Sequence, residues 1–245
     1  MTVRGGYNTY GQAIGILMLE TAFPRVPGDI GNATTFPFPV LYHTVPGATP
    51  NRVADRADPT LIEPFIAGAR QLERAGVKAI TTSCGFLAIF QQEVAASVSV
   101  PVFCSALIQV PMVRRMLKPD QRVGILTANA SALTEAHFRG VGWSSDEIPI
   151  AVAGLEQEPL FRDSHHHPER HPEVDYEVIE AEVLRGARRL VEASPDIGAI
   201  VFECTNLPPH SAAVQRATGR PVFDIVTLTQ MVYACIQQRD YEGHQ

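Results

Sequence analysis

Apolar residues follow two patterns that alternate along the chain. Short, wholly apolar runs are typical of parallel strands buried on both faces, and apolar residues at every third or fourth position are typical of amphipathic helices. The strand-like runs cover residues 12–19, 40–45, 100–104, 122–127 and 147–152. The helix-like segments cover residues 59–75, 87–97, 107–117, 131–139, 174–193 and 227–238. The alternation predicts an α/β protein built on parallel sheets.

Two further strand-like segments repeat each other, and each ends at a cysteine. Ala-Ile stands five and four residues before both Cys84 and Cys204. In both segments a predicted helix follows the cysteine, and Pro-Val-Phe begins 17 residues after it. Residues 14–17 also resemble residues 123–126, and the changes in spacing fall in loops. We therefore predict two similar, doubly wound parallel-sheet halves, produced by duplication, with the active site in the cleft between them.

Composition and charge narrow the class of protein. Of 245 residues, 45% are hydrophobic and 19% are charged, which is ordinary for a soluble globular protein. The net charge of −6, with no basic run, argues against nucleic acid as a partner. No apolar run approaches the roughly 18 residues of a membrane span, and the N-terminal residues lack a signal-peptide pattern. The expected location is therefore cytoplasmic, where the four cysteines would be thiols rather than disulfides.

The two matched cysteines carry the candidate chemistry. Ligands of open parallel sheets bind beyond the carboxyl ends of the strands, where Cys84 and Cys204 are both predicted to lie. A helix start after each cysteine would offer free backbone N–H groups, which we expect to lower the thiol pKa and to seat a carboxylate. Ser83 and Gly85 beside one cysteine, and Thr205-Asn206 beside the other, are small or polar and suit a bound acid.

A small acid held in the cleft would have one thiol on each side. One thiolate could remove the proton from the carbon next to the carboxylate while the opposite thiol supplies a proton. This two-base mechanism predicts racemisation or epimerisation without a cofactor, and so independent of pyridoxal phosphate (PLP).

Other uses of cysteine compete with this interpretation. A buried cysteine is commonly an inert core residue, and we assign that role to Cys104 and Cys235, which have no counterpart in the other half. No second ligand stands at zinc-type spacing from Cys84 or Cys204, so no metal is predicted there.

Histidines offer weaker candidates. The cluster at residues 165–171 lies in a polar stretch flanked by prolines, which favours a solvated surface tract over a metal site. His43 and His210 could each lie at the cleft or on a surface. The glycines near residues 5 and 28 lack the strand and helix of a nucleotide-binding fingerprint, so no nucleotide cofactor is implied.

A long loop rich in Pro and Gly, from Phe23 to Pro39, separates the first two strands. Loops of this length are commonly functional, and we predict that it covers the active site with Phe36 and Phe38 as an apolar wall. Packing against its own domain or a subunit partner is the alternative.

The residues around the cysteines resemble a known family. Glu203-Cys204-Thr205-Asn206 is similar to the Gly-Cys-Thr-polar motif of the aspartate/glutamate/hydantoin racemase superfamily, apart from the leading glycine. Ser83-Cys84-Gly85-Phe86 departs from that family's Cys-Asn-Thr motif. The resemblance covers nearly all of the chain and implies a PLP-independent isomerase with Cys84 and Cys204 as catalytic residues. The departure after Cys84 implies a substrate bulkier or less polar than aspartate.

The resemblance, together with the polar residues at the strand ends, assigns further roles. The predicted substrate-binding residues are Glu20, Thr21, Ser83, Gly85, Phe86, Thr127, Asn129, Thr205 and Asn206. The first half is assigned residues 1–118 with Cys84, and the second half residues 119–218 with Cys204. The segment from about 219 to 245 contains the last helix, which the resemblance implies packs on the first half.

The resemblance leaves several activities open. Racemases of the superfamily keep both cysteines and arylmalonate decarboxylases only the second, so Cys84 argues against decarboxylation. Maleate cis–trans isomerases also keep both, and use one as a nucleophile. We favour a racemase or epimerase acting on an amino acid, a hydantoin or a related small carboxylate. A maleate-type isomerase and a non-catalytic small-acid binding protein are the alternatives, and a homodimer or higher homo-oligomer is the expected assembly.

Overall fold

The computed structural model describes residue 2 and residues 5–166 and 173–240. Its strands are β1 (Ile14–Met18), β2 (Val40–Thr44), β3 (Ala79–Thr82), β4 (Val102–Phe103), β5 (Arg122–Thr127), β6 (Ile150–Gly154), β7 (Ile197–Phe202) and β8 (Val222–Phe223). Its α-helices are α1 (Ile62–Arg74), α2 (Gln91–Ala96), α3 (Val110–Met116), α4 (Glu135–Gly140), α5 (Pro159–His166), α6 (Tyr176–Ala193), α7 (Ser211–Thr218) and α8 (Ile225–Ile236). Over these residues, no helix combines the length and the apolar character needed to cross a membrane.

The strands form two four-stranded parallel sheets. The first sheet has the order β2-β1-β3-β4, and the second has the order β6-β5-β7-β8. The second sheet therefore repeats the first, strand for strand. The predicted fold class, two similar doubly wound parallel-sheet halves, is confirmed.

Helix α6 illustrates how the helices cover the sheets. The Asp175 side chain caps its first turn by accepting hydrogen bonds from two backbone N–H groups. Its buried apolar residues recur every three or four positions, at Ile179, Val183, Ala187 and Leu190. This stripe joins the core cluster that includes Leu126 of β5 and Ile200 of β7.

Some elements begin later than the pattern predicts, because local turns precede them. Asn129 Oδ1 accepts hydrogen bonds from Ser131, so the chain turns there and α4 begins only after its capping residue, Thr134. A turn hydrogen bond from the Glu147 N–H to the Ser144 carbonyl occupies the start of the strand predicted at 147–152, and β6 begins at Ile150.

Tight 3-10 turns replace the first turns of the helices predicted after the cysteines. Gly85–Phe90 forms a 3-10 helix before α2, and Pro208–His210 forms one before α7. The polar stretch at 156–172 was predicted without a helix but contains α5.

The last helix, α8, contacts the first half. The Tyr233 ring stacks on Phe38 with ring centroids 3.6 Å apart, and Gln109 Nε2 donates a hydrogen bond to the carbonyl oxygen of Asp224 just before the helix. Ile225 and Leu228 share a core cluster with β1. Cys235, near the end of the same helix, is exposed, so its predicted role as a core residue is wrong, whereas Cys104 is buried as predicted. The division of the chain into domains at residues 118 and 219 stays a prediction.

Candidate active site

The site lies where β3 and β7 end. Cys84 and Cys204 each come two residues after the last residue of their strand. The loops that carry them touch directly, because Thr205 Oγ1 donates a 2.5 Å hydrogen bond to the carbonyl oxygen of Ser83. Contact between these equivalent loops brings both cysteines to the wall of one cavity.

Gly85 permits this close approach. A Cβ atom at residue 85 would lie 2.0 Å from the carbonyl oxygen of Glu203 and 2.4 Å from Glu203 Oε1. No real Cβ contact is that short, and the nearer obstacle is backbone of the opposite half. Only glycine fits at this position in the present packing.

The cavity has an empty volume of about 460 Å³, counted out to its open mouth. Both cysteines line it, and so do six of the residues predicted to bind substrate: Thr21, Ser83, Gly85, Phe86, Thr205 and Asn206. The other three do not. Thr127 is fully buried behind Glu203, Glu20 is exposed, and Asn129 closes the turn before α4.

Both thiols have a raised pKa, which contradicts the expected lowering. Burial raises the pKa of Cys84 and of Cys204 well above the usual thiol value, and the nearby Glu203 carboxyl raises both further. The backbone N–H groups of Phe86 and Leu87 act in the opposite direction at Cys84, and one N–H group does so at Cys204. The prediction of a near-neutral thiol pKa is wrong because desolvation outweighs these N–H groups.

Glu203 is a buried carboxyl in the cavity wall. Its Oε2 accepts a 2.6 Å hydrogen bond from Thr127 Oγ1, whereas its buried Oε1 has no hydrogen-bond partner among the described residues. Burial raises the pKa of Glu203 from 4.5 to about 7, against the lowering effect of the Thr127 hydrogen bond. Near neutral pH this side chain is therefore poised between its neutral and its ionised form.

A chain of hydrogen bonds connects the long loop to Cys204. Arg25 Nη1 donates to Asp29 Oδ1 at 2.6 Å, and Asp29 Oδ2 accepts from Asn206 Nδ2 at 2.8 Å. Because its nitrogen is engaged there, Asn206 turns its Oδ1 towards Cys204, and the thiol donates to it across 3.7 Å. An acceptor beside the sulfur favours the protonated form of Cys204.

The long loop contributes to the cavity, but not with the residues predicted. Phe23 and Arg25 line the cavity, and the Arg25 guanidinium lies 4.5 Å from the centroid of the Phe23 ring. Phe36 and Phe38 stack on each other, and Phe38 also packs on α8. The predicted Phe36–Phe38 wall is therefore not part of the cavity.

His165 corrects the prediction of a solvated histidine tract. Its ring stacks on Phe161 with centroids 4.2 Å apart, contacts Phe23 at 4.6 Å, and lines the cavity. His167 and His171 lie outside the described residues. Within the described part of the chain, no group of three or more His, Cys, Asp or Glu side chains could hold a metal ion.

The two isolated histidines lie away from the cavity. His210 is buried, with Nδ1 3.5 Å from Glu180 Oε2, and burial lowers its pKa. His43 is half-buried on β2 and packs against Gly68 of α1. Neither is among the residues that line the cavity.

Sequence reasoning missed three cavity residues with charged or titratable side chains: Arg25, His165 and Glu203. Glu203 had a visible signal, because it stands where the resembled motif has glycine. Arg25 and His165 had none, since they reach the cavity through the packing of a loop and of α5.

Two parallel α/β halves, each with a cysteine just after its third strand, define a class of protein. Comparison with known families identifies the family within that class. A family model described as "Asp/Glu/Hydantoin racemase" matches residues 38–230. The chain belongs to this family, as the motif around Cys204 implied.

Relatives of known name extend the comparison. The chain is 32% identical over 221 residues to "Dimethylsulfoniopropionate lyase" of Durusdinium sp. clade D, covering 87% of this chain and 71% of the relative. It is 32% identical over 239 residues to "Dimethylsulfoniopropionate lyase 3" of Emiliania huxleyi (strain CCMP1516), covering 94% of this chain and 61% of the relative. The chain thus spans less than two thirds of the length of that second relative.

Solved structures show the same fold at lower identity. Unliganded arylmalonate decarboxylase has a TM-score of 0.57 at 16% identity, covering 94% of each chain. Glutamate racemase from Francisella tularensis subsp. tularensis SCHU S4 has a TM-score of 0.58 at 16% identity, covering 92% of this chain and 81% of the racemase. These likenesses establish the fold of the family and not the reaction.

Proposed function

We propose that this chain removes the proton from the carbon next to the carboxylate of a small acid, with Cys84 and Cys204 as its two acid–base residues. We propose further that the reaction is a lyase reaction, the cleavage of dimethylsulfoniopropionate to dimethyl sulfide and acrylate. One observation carries the acid–base assignment: thiols from matched strand ends line a single cavity, each beside backbone N–H groups. The curated relatives support the choice of substrate.

The proposed reaction balances without a cofactor. A cysteine thiolate takes the proton on the α-carbon, and the electron pair of that C–H bond forms the double bond of acrylate. The bond between the β-carbon and sulfur breaks, and its electron pair leaves with the sulfur as neutral dimethyl sulfide. The thiol gives its proton to solvent when the next cationic substrate binds, which restores the thiolate.

A thiol with a raised pKa stays protonated and cannot act as a base, and a cationic substrate would remove this obstacle. A positive charge brought into the cavity favours ionisation of a nearby thiol, since opposite charges stabilise each other most where water is excluded. A thiol with a high pKa in the apo protein would thus become a competent base when the substrate binds. Backbone N–H groups beside the sulfur atoms would seat either the thiolate or the substrate carboxylate.

The cavity wall favours elimination over racemisation of a polar amino acid. Phe86 stands where the family's racemase motif has a polar residue, and Phe23 adds a second ring. These rings suit methyl groups on a sulfonium better than the side-chain carboxylate of aspartate or glutamate.

Racemisation or epimerisation of a less polar 2-substituted acid is the second candidate. It is favoured by the retention of both thiols, because an elimination with a neutral leaving group requires only one base. Both candidates begin with the same removal of a proton.

The test is proton NMR of the purified protein in heavy water. With dimethylsulfoniopropionate we expect vinyl signals of acrylate and the methyl signal of dimethyl sulfide to grow together, at a rate proportional to protein concentration. A parallel panel of single-enantiomer amino acids, hydantoins and 2-substituted acids should show no loss of the α-proton signal. Exchange across that panel without acrylate would instead establish the racemase, and no change in any sample would contradict both candidates.

A further inference from the structure

The Glu203 carboxyl is a polar group whose surroundings leave it incompletely satisfied. Its side chain is fully buried in the cavity wall, Thr127 satisfies one oxygen, and Oε1 has no partner among the described residues. Buried carboxylates are normally paired with a cation or fully hydrogen-bonded, because desolvation of an unmatched charge is costly. The partner that this oxygen requires is therefore to be sought in a bound molecule.

The guanidinium of Arg25, a cation in the cavity wall, has partners other than Glu203. Arg25 Nη1 donates to Asp29, and Arg25 Nη2 donates to Thr21 Oγ1 at 2.9 Å. No ion pair joins Arg25 to Glu203 in the described residues, although both line the same cavity. The cavity thus presents one guanidinium held by a neighbouring carboxylate and one carboxylate without a cation.

The remaining lining suits a cation that carries methyl groups. Phe23 and Phe86 line the cavity, and aromatic rings attract cations. A sulfonium or a methylated ammonium is such a cation, with little hydration to lose. Its carboxylate would be met by the backbone N–H groups beside the two thiols and by the positive charge of Arg25.

We propose that Glu203 is the recognition site for the onium group of a zwitterionic substrate, so that the cavity selects small acids bearing a methylated sulfonium or ammonium two carbons from the carboxylate. This inference rests on the proposed function and narrows its substrate class. It gives a role to a residue that replaces the glycine of the family motif.

Selection by Glu203 depends on pH, because only the ionised carboxylate attracts the cation. The groups nearest Glu203 are the thiols of Cys84 and Cys204 and the Thr127 hydroxyl. Arg25 and His165 line the same cavity, and Asp29 holds Arg25 from the long loop. With a pKa of about 7, Glu203 is mostly neutral about one pH unit below that value and mostly ionised about one unit above. Preference for the cation should therefore strengthen as the pH rises through neutrality.

The experiment compares two matched acids by calorimetry. The cationic probe is 3-(dimethylammonio)propionate, and the neutral probe is 4-methylpentanoate, which has nearly the same shape. For the wild-type protein at about pH 8, we expect the cationic probe to bind at least about tenfold more tightly, falling to a few-fold near pH 6. In Glu203→Gln the two affinities should be nearly equal at both pH values.

Glu93→Gln is the control, because it removes one carboxylate from the exposed surface and should leave the wild-type ratio unchanged. An unchanged ratio in Glu203→Gln would overturn the proposal. If that variant does not fold, the wild-type protein decides alone, and a ratio that does not vary with pH overturns the proposal.

Acrylate release separates this inference from the proposed function. Selection for the cationic probe without acrylate release would contradict the lyase assignment and support the onium site. Acrylate release without selection through Glu203 would support the lyase assignment and contradict the onium site.

Discussion

The two cysteine segments share one frame and differ at the residues on either side of the thiol. In both, a buried parallel strand ends two residues before the cysteine and a 3-10 turn follows in the next stretch of chain. The residue before the cysteine is Ser83 in one half and Glu203 in the other, and the residue after it is Gly85 or Thr205. Duplication fixed the position of the thiols and left their neighbours free to diverge.

These differences make the two segments complementary. Ser83 Oγ accepts a hydrogen bond from the Leu19 N–H, so this side chain bonds within its own half. The matched Glu203 is fully buried in the cavity wall, and Gly85 of the opposite half provides the space for it. Thr205 in turn donates across to the Ser83 carbonyl. One segment supplies space and backbone acceptors, and the other supplies bulk and charge.

The strongest way to break this complementarity is Gly85→Ala. The added Cβ would meet the Glu203 carbonyl at 2.0 Å, so the two loops must separate. We expect a loss of about 3 kcal/mol in the free energy of unfolding and a large loss of activity. Urea denaturation measures the first. Gly5→Ala is the control, since a Cβ there approaches nothing closer than Tyr10 Oη at 3.8 Å. Wild-type stability in Gly85→Ala would show that the contact is not tight.

The charge of Glu203 can be removed without changing its shape. Its folded-state pKa of about 7 lies above the ordinary 4.5, so its favourable contribution is complete below about 4.5 and is lost as the pH rises through about 7. The free energy of unfolding of Glu203→Gln, relative to that of the wild type, should therefore rise by up to about 3 kcal/mol between pH ~4.5 and pH ~8. Urea denaturation at the two pH values, with Glu93→Gln beside it, measures this gain. An equal difference at both pH values would contradict the raised pKa.

The Asp29 side chain makes the two thiols unequal. In Asp29→Asn an amide nitrogen would face Asn206 Nδ2, so the Asn206 amide should rotate and turn its nitrogen towards Cys204. A donor beside the sulfur favours the thiolate, and we expect Cys204 to react with iodoacetamide several-fold faster relative to Cys84. Turnover should fall about tenfold because the thiol is no longer held in place.

Peptide mass spectrometry of the alkylated protein gives the ratio of the two cysteines. Asp196→Asn is the matched control, because Asp196 pairs with Arg122 at 2.7 Å at the opposite ends of β5 and β7. A fall in turnover with no change in the alkylation ratio would mean that Asp29 only stabilises the loop.

The smallest effect is expected at Thr205, the counterpart of Gly85. Thr205→Val keeps the shape and removes the hydrogen bond to the Ser83 carbonyl, which should cost about 1–2 kcal/mol of unfolding free energy. Thr9→Val, at an exposed position, should be neutral. Equal unfolding midpoints in urea for Thr205→Val and the wild type would show that the contact between the loops does not depend on this bond.

The fold was predictable from sequence because its strands carry their own signal. The strand β5 was predicted to its exact residues, since an apolar run there is bounded by polar residues on both sides. The helix α5 was not predicted, because its first turn is satisfied from a distance. Glu182 of α6 accepts hydrogen bonds from the backbone N–H groups of Leu160 and Phe161. Phe161 lies 21 residues before Glu182, and no local sequence pattern reveals a bond across that separation.

The candidate site was predictable to the extent that it follows the repeat. The matched cysteines and their immediate neighbours were found because two copies of a motif can be compared. Arg25 and Asp29 were not found, since they lie in the loop between β1 and β2, whose sequence does not match the equivalent connection between β5 and β6. The raised pKa of the thiols also required the structure, because burial and the distance to Glu203 cannot be read from the sequence.

The central claim is that both matched thiols act in one site, and paired substitutions test it most directly. The measurement is the initial rate of acrylate release from dimethylsulfoniopropionate by wild type, Cys84→Ser and Cys204→Ser, with the exposed Cys235→Ser as control. The account predicts that the substitution that removes the base lowers the rate about 10³-fold, that the other substitution in the site lowers it by a smaller factor, and that Cys235→Ser keeps the wild-type rate. A wild-type rate in either Cys84→Ser or Cys204→Ser would contradict it.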